Sequence, residues 1–460
     1  METAYKILAL AFSLMILAQG YAVRRVVGTW LFPACLFSLF WFGYTFLPLA
    51  LLFTVPIEPT GIAYILICAL AFSLGSIGFN WRFAFQRNQA KLRTTGRLYS
   101  NGFLKSAFYL ITLGCLVFLI ANSLQQGISV NDLVFNFYAS SAAYTERRSS
   151  DEIAINVFGQ LSIVCSYLGV ILGGFLITSA RTRVSRWAIV FLSFLPSVLV
   201  MVTQSAKGML FLCIVLFYAA VLVCRMSAND QHLLEKKHIK TVVACVLILL
   251  PLLIVSFVAR GLYDINDNEY VVDRLIYYFA SYSFGHIYAF SDWFSFTIGK
   301  HSLLQYPDQG LSYGFYSLMA IFKLLGSDKV TPPGVFDEYF SYGDLLSTNI
   351  YTMFRGLILD FGFIVSIVIM FIAGLLFHLA FFLFLIAKRP VVTAAVFIFM
   401  LGFFYTSFII SIFIWNSIYV SFVLLCAVLW VNKLIQSRPR PVARFERDPS
   451  YSASPAHSSA

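Results

Sequence analysis

Charge is what this chain has least of. Only 12% of its 460 residues are Asp, Glu, Lys or Arg, against roughly 25% in a soluble globular protein. Motifs that announce chemistry are missing too. There is no CxxC spacing, no DxD pair, no Gly-rich phosphate loop, no Ser/His/Asp order and no paired-carboxylate motif; "DIND" (264–267) has the wrong spacing for a metal-binding DxD. The eight cysteines (35, 68, 115, 165, 213, 224, 245 and 426) lie in or beside apolar runs, none in a polar loop. They read as small packing residues rather than disulfide or metal partners. No internal repeat is visible.

What the chain does have is apolar sequence, 60% of it, in long unbroken blocks. About 20 residues at 1.5 Å rise cross the hydrocarbon layer of a bilayer, and inside lipid the backbone must bond to itself. The reading is an all-α, polytopic membrane protein. Eleven spans are expected, within a range of ten to thirteen: about 4–21, 29–54, 60–81, 103–122, 153–179, 187–204, 208–225, 240–259, 356–387, 391–411 and 413–434. The opening "METAYK" lacks a basic cluster, and no small-residue cleavage site follows it, so the first run is read as a span and not a cleaved signal. Residues 1–436 form one integral membrane domain. The Pro-, Ser- and Arg-rich segment 437–460 reads as a disordered tail.

Charge sets the orientation. Alternate connections (22–28, 82–102, 180–186, 226–239, 388–390 and the tail), with their flanking helix ends, hold 22 Lys+Arg and 4 Asp+Glu; the rest hold 10 and 17. Lys and Arg accumulate on the cytoplasmic side. The first set is therefore expected on the cytoplasmic face, with the N-terminus outside and the C-terminus inside. The net charge of +11 is this topology signal plus attraction to anionic headgroups, and needs no nucleic acid. The basic stretch 82–97 reads as a solvated cytoplasmic anchor.

One outer connection, about 260–355, is far longer than the others, and long loops in compact proteins tend to be functional. It holds 12 of the 25 tyrosines. Its "LIYYFASYSFGHIYAFSDWFSF" (275–296) and "LSYGFYSLMAIFKLLG" (311–326) read as helices lying at or dipping into the interface. A moderate outer loop, 123–152, carries Arg147 and Arg148, and the turn "TQSAKG" (203–208) places Lys207 at a helix mouth.

Ionisable residues within the spans are few, His378 being the deepest, which favours a surface site over a translocation path. Lys207, Arg260, Arg274 and Arg355 all stand beside outer helix ends. Arg offers a planar fork to phosphate and Lys a point charge, so together they could hold a lipid diphosphate; alternatively they snorkel and pair with outer acids. Tyr282, Tyr288 and Trp293 form a patch able to stack on sugars, or simply an interfacial aromatic belt. His286, among them, is either a general base or a structural histidine.

The stretch "STNIYTMFRGLILDFGFIVSIVIMFIAGLL" (347–376) resembles the signature of bacterial oligosaccharide repeat-unit polymerases, the Wzy-type O-antigen and capsule polymerases. The matching residues are Asn349, Thr352, Arg355, Asp360, Phe361 and Gly362. "TQSAKGMLFLCIVLF" is similar to the family's small-residue-plus-Arg turn, with Lys207 where Arg is commoner; "FVARGLY" and "YFASYSFGHIYAF" match more loosely. The similarity covers about 200–380. It implies a GT-C-like membrane glycosyltransferase that moves a growing glycan from undecaprenyl diphosphate onto a lipid-linked repeat unit, without metal or other cofactor. It further implies catalytic roles for Arg355, Arg260, His286 and Asp360, with Lys207, Arg274, Asn349, Thr352, Tyr282, Tyr288 and Trp293 binding substrate. A chain-length regulator and a flippase are the implied partners. An O-antigen ligase and a lipid-glycan flippase remain the alternatives.

Overall fold

The computed structural model describes residues 2–95, 102–129, 156–204, 206–235, 239–258, 267–307, 310–329 and 335–437, with a few isolated residues between them. These form fifteen α-helices and one short hairpin. In chain order the helices are α1 (Glu2–Val27), α2 (Pro33–Leu51), α3 (Thr60–Leu74), α4 (Trp81–Thr95), α5 (Gly102–Gln125), α6 (Val157–Ile177), α7 (Arg183–Gln204) and α8 (Lys207–Ser227). Then come α9 (Ile239–Val258), α10 (Asn268–Ser283), α11 (Gly285–Thr297), α12 (Phe315–Leu324), α13 (Thr352–Ile386), α14 (Val392–Thr406) and α15 (Asn416–Ser437). Strands β1 (Phe340–Tyr342) and β2 (Leu346–Thr348) pair antiparallel between α12 and α13, Ser341 opposite Ser347.

Each of the eleven expected spans falls on a helix. Eight of these helices are long and apolar enough to cross a membrane: α1, α2, α5, α6, α7, α8, α13 and α15. The other three, α3, α14 and the apolar part of α9 (Val243–Val258), are shorter. The protein is thus all-helical and polytopic. Tight polar caps are scarce at the span ends, because the ends lie in a polar medium. Where they occur, they are made as expected: Asn156 accepts from Gly159 N at 2.7 Å to start α6, and Asp267 accepts from Glu269 N and Tyr270 N to start α10.

Cross-chain hydrogen bonds sort the connections into two ends. At one end Thr29 reaches Gln231, Asn88 reaches Met226 and Tyr99 reaches Pro390. These belong to the connections rich in Lys and Arg. At the other end Lys6 reaches Leu52 and Val55, Lys300 reaches Glu58, and Met353 N bonds Ser407 O. That end also carries α10, α11, α12 and the hairpin. The first is called the basic end below, and the second the aromatic end.

Two segments depart from the expected form. The aromatic stretch 275–296 is two helices, broken at Phe284, and Gly285 to Ser295 of α11 are all buried. The α11 half is core against α3 and α13, because Phe290 and Phe294 pack on Tyr64, Phe354 and Phe363, whereas the α10 half keeps Ile276, Phe279 and Tyr282 exposed. The basic stretch after residue 81 is a helix with Ala84 and Asn88 buried, so one of its faces packs and only the other is solvated.

The decisive irregularity is in α13. Gly362 has φ 77° and ψ 175°, a conformation open essentially to glycine alone. The helix breaks there into a short buried piece, 352–361, and a long apolar one. The carbonyls freed by the break are recovered: Ser366 Oγ lies 2.7 Å from Gly362 O and 2.8 Å from Leu357 O, and Tyr64 donates to Phe363 O at 2.8 Å. Non-helical backbone at membrane depth is tolerated under this condition.

Beyond the break, α13 crosses α3 where glycine lets the backbones meet. A Cβ on Gly374 would collide with Phe72 O, and one on Gly75 with Leu375 N. We expect Gly374→Val to destabilise the protein by about 2 kcal/mol or more, read as a lower thermal unfolding temperature in detergent. Gly43→Val, where a Cβ meets nothing within 4 Å, should shift it far less.

Candidate functional site

The short first piece of α13 begins under strain. Thr352 is β-branched, fully buried and held at φ 72°, a left-handed backbone that costs about 1–3 kcal/mol for such a residue. Met353 N bonding to Ser407 O holds it there. One turn on, Arg355 is 1% exposed. Its guanidinium carbon sits 4.1 Å from the ring centres of both Phe336 and Tyr351, 5.3 Å from Trp293 and 5.6 Å from Tyr306. Four aromatic rings therefore wrap one cation. Glu338 supplies the opposite charge, Oε2 lying 3.1 Å from Nη2 of Arg355. Among the described residues the buried Nε and Nη1 groups have no hydrogen-bond partner, an expensive condition for a charged donor.

The cage is built from four elements. α11 brings Trp293, and the loop after it brings Tyr306. The segment before β1 brings Phe336 and Glu338, and the turn before α13 brings Tyr351. Asn349 and Tyr351 staple the hairpin base: Asn349 Nδ2 donates to Phe336 O at 3.1 Å and Tyr351 Oη to Glu338 O at 3.0 Å. Asp292 anchors the loop after α11, accepting from Leu303 N, Leu304 N and the Tyr306 hydroxyl at 2.6, 3.2 and 2.9 Å. Burial pushes the Asp292 carboxyl above the usual carboxylate range, although these hydrogen bonds oppose the shift.

Arg355 and Asp360 do not share a partner. Asp360, fully buried, accepts from Ser312 Oγ at 2.6 Å, Tyr316 N at 3.0 Å and Ser317 N at 2.7 Å. Tyr316 and Ser317 open α12, whose N-cap residue is Gly314, in the left-handed region and without a side chain. Asp360 thus caps a helix in trans, where its charge meets the positive end of the helix dipole. His286 is 1% exposed, its Nε2 3.0 Å from Tyr44 O and its ring against Tyr44 and Phe408. Burial depresses it to about 4, so it is neutral at neutral pH. Tyr288 Oη lies 2.7 Å from Leu52 O and accepts from Lys6 Nζ at 2.8 Å, which ties α11 to α1 and the end of α2.

The other expected cations stand elsewhere. Lys207 donates to Ser256 O at 3.3 Å and lies 3.8 Å over Phe257, which packs against Tyr278 and Tyr282 of α10. Arg274 is half-buried on the same helix, stacked on Tyr270 and Tyr277. Lys207, Tyr282 and Arg274 therefore make a second group around α10, joined to the hairpin by Ser347 N bonding Ser281 Oγ at 2.9 Å. Arg260 and Arg148 lie outside the described residues. Among the described residues no group of three or more His, Cys, Asp or Glu could hold a metal ion.

Sequence reasoning missed Glu338, Tyr306, Phe336 and Tyr351. Only the concentration of tyrosine in 263–351 pointed toward them. No family model matches the chain, and neither a curated protein nor a solved structure matches it.

Two outcomes are expected. Because folding favours neutral His286, its contribution is complete above pH 6.5 and is lost as pH falls toward 4, worth up to about 3 kcal/mol. Thermal unfolding between pH 4 and 7.5 should show this slope, and His286→Gln should flatten it. Asp360→Asn keeps the shape but weakens charge-assisted caps, and should cost about 2 kcal/mol, with faster proteolysis around α12.

Proposed function

We propose that the protein is a membrane glycosyltransferase that polymerises lipid-diphosphate-linked oligosaccharide repeat units, working at the aromatic end of its helix bundle. The observation that carries this reading is Arg355: a buried guanidinium at a membrane-helix mouth with two N–H groups left without partners. Planar donors of this kind match phosphate oxygens, and a dry, pre-oriented cation stabilises a departing diphosphate most strongly where charge develops. The likeness of "NIYTMFRGLILDFG" to the polymerase signature supports the same assignment.

In this mechanism the bond from the donor sugar's anomeric carbon to the diphosphate breaks, and a new bond forms to a hydroxyl of the incoming repeat unit. The hydroxyl proton passes to a base. We assign that base to Glu338, the one carboxylate paired with Arg355 and 19% exposed. His286 and Asp360 support the site instead, since one is engaged with Tyr44 O and the other is saturated by the start of α12. Trp293, Tyr306 and Tyr351 are committed to the cage around Arg355, and Tyr282, 45% exposed, is the aromatic that offers a surface to a sugar ring. The aromatic end is the periplasmic one in this reading, where flipped lipid-linked glycans arrive.

Polymer ladders from cells carrying single substitutions test it. Arg355→Ala should abolish chains longer than one unit. Arg355→Lys, which keeps charge but loses the fork, should cut transfer about a hundred-fold. Glu338→Gln should behave similarly while leaving protein levels unchanged. Full-length ladders from both Arg355 variants would remove it from the mechanism, and loss of even single units on the lipid core would point to ligation.

A further inference from the structure

A second polar site lies at the opposite, basic end, away from the Arg355 cage. A shallow, open notch lies between the turn joining α13 to α14 and the last turns of α15. Its polar lining is Arg389, Lys433, Tyr99, Asn432 and Gln436, over Leu429. Two of these are cations, and no carboxylate lines the notch. Arg389 and Lys433 enter no ion pair among the described residues. The contrast at the same end is Arg225, which bonds Asp230 at 2.7 Å and Glu235 at 3.1 Å. There a cation serves the fold and is neutralised by it; at the notch two cations are brought together and left so.

The notch is also built rather than incidental. Tyr99 donates to Pro390 O at 3.1 Å, which fixes the turn that carries Arg389. On α15, Leu429, Lys433 and Gln436 fall on one helical face, at spacings of four and three residues. Beside them the surface is apolar and faces outward: Trp430 is 57% exposed, Val392 55% and Leu434 46%. A fork and a point charge therefore sit where a helix end meets an exposed apolar surface that includes a tryptophan.

We propose that this notch binds the phosphate of an acidic phospholipid, the phosphodiester between Arg389 and Lys433 and the acyl chains along Val392, Trp430 and Leu434. Cationic pockets between helices at the cytoplasmic face recognise anionic headgroups by this chemistry. The assignment is independent of the glycosyltransferase reading.

Native mass spectrometry of the full chain tests it, with phosphatidylglycerol and phosphatidylethanolamine of matched acyl chains. Wild-type protein should retain phosphatidylglycerol in preference. Arg389→Gln with Lys433→Gln should weaken that retention about ten-fold or more, each cation being worth roughly a factor of five. Arg82→Gln with Arg87→Gln, on α4 at the same end, should leave most of it. Lys433→Gln alone, at an exposed position, should give an intermediate loss and guards against misfolding of the double variant. Equal loss in both double variants, or no preference in wild type, overturns the proposal. Displacement of the lipid by millimolar inorganic phosphate would assign the notch to a soluble anion and overturn the lipid assignment as well.

Discussion

Desolvating a guanidinium is the constraint around which the aromatic end is arranged. Arg355 is almost fully buried at the start of a membrane helix, where water cannot screen it. One carboxylate and four rings answer that cost. Four separate segments deliver them, so the cage explains why α11, the loop after it and the hairpin must all be in place. It explains the local strain as well. Thr352 at positive φ turns the chain so that Arg355 points into the cage, and the break at Gly362 lets the 352–361 piece leave the axis of the long span.

The charges around this site divide the work. Asp292 holds the loop that brings Tyr306, Asp360 holds α12, and Lys6 with Tyr288 holds α11 against α1 and α2. All three are satisfied by neutral donors or acceptors rather than by ion pairs. Such groups stabilise by their hydrogen bonds. Glu338, less buried and beside a buried cation with spare donors, is differently placed.

At the basic end the physics is of another kind. Positive residues there sit on helix ends and short turns, close to where anionic headgroups would lie. Most need no internal partner, since solvent and lipid supply one. Where a loop must be ordered, as around Arg225, acids are provided. Arg389 and Lys433 differ in that two such cations line one notch.

How far the sequence alone reached follows from which forces are local. Lipid leaves a long apolar run only one way to satisfy its backbone, so the helical class and eight of the eleven expected spans were legible in hydropathy. Arg355, Asp360 and Gly362 could be singled out because charge and glycine at a helix mouth are unusual. Their partners could not be read. Asp360 meets Ser312, Tyr316 and Ser317 across more than forty residues, and Arg355 meets Glu338 across a hairpin. The burial of α11 was invisible for the same reason: an aromatic helix looks alike whether it faces headgroups or Phe354. Composition and periodicity determine what each segment can be. Which residues from a long loop close around one cation is decided only when packing selects among many apolar faces of similar hydrophobicity.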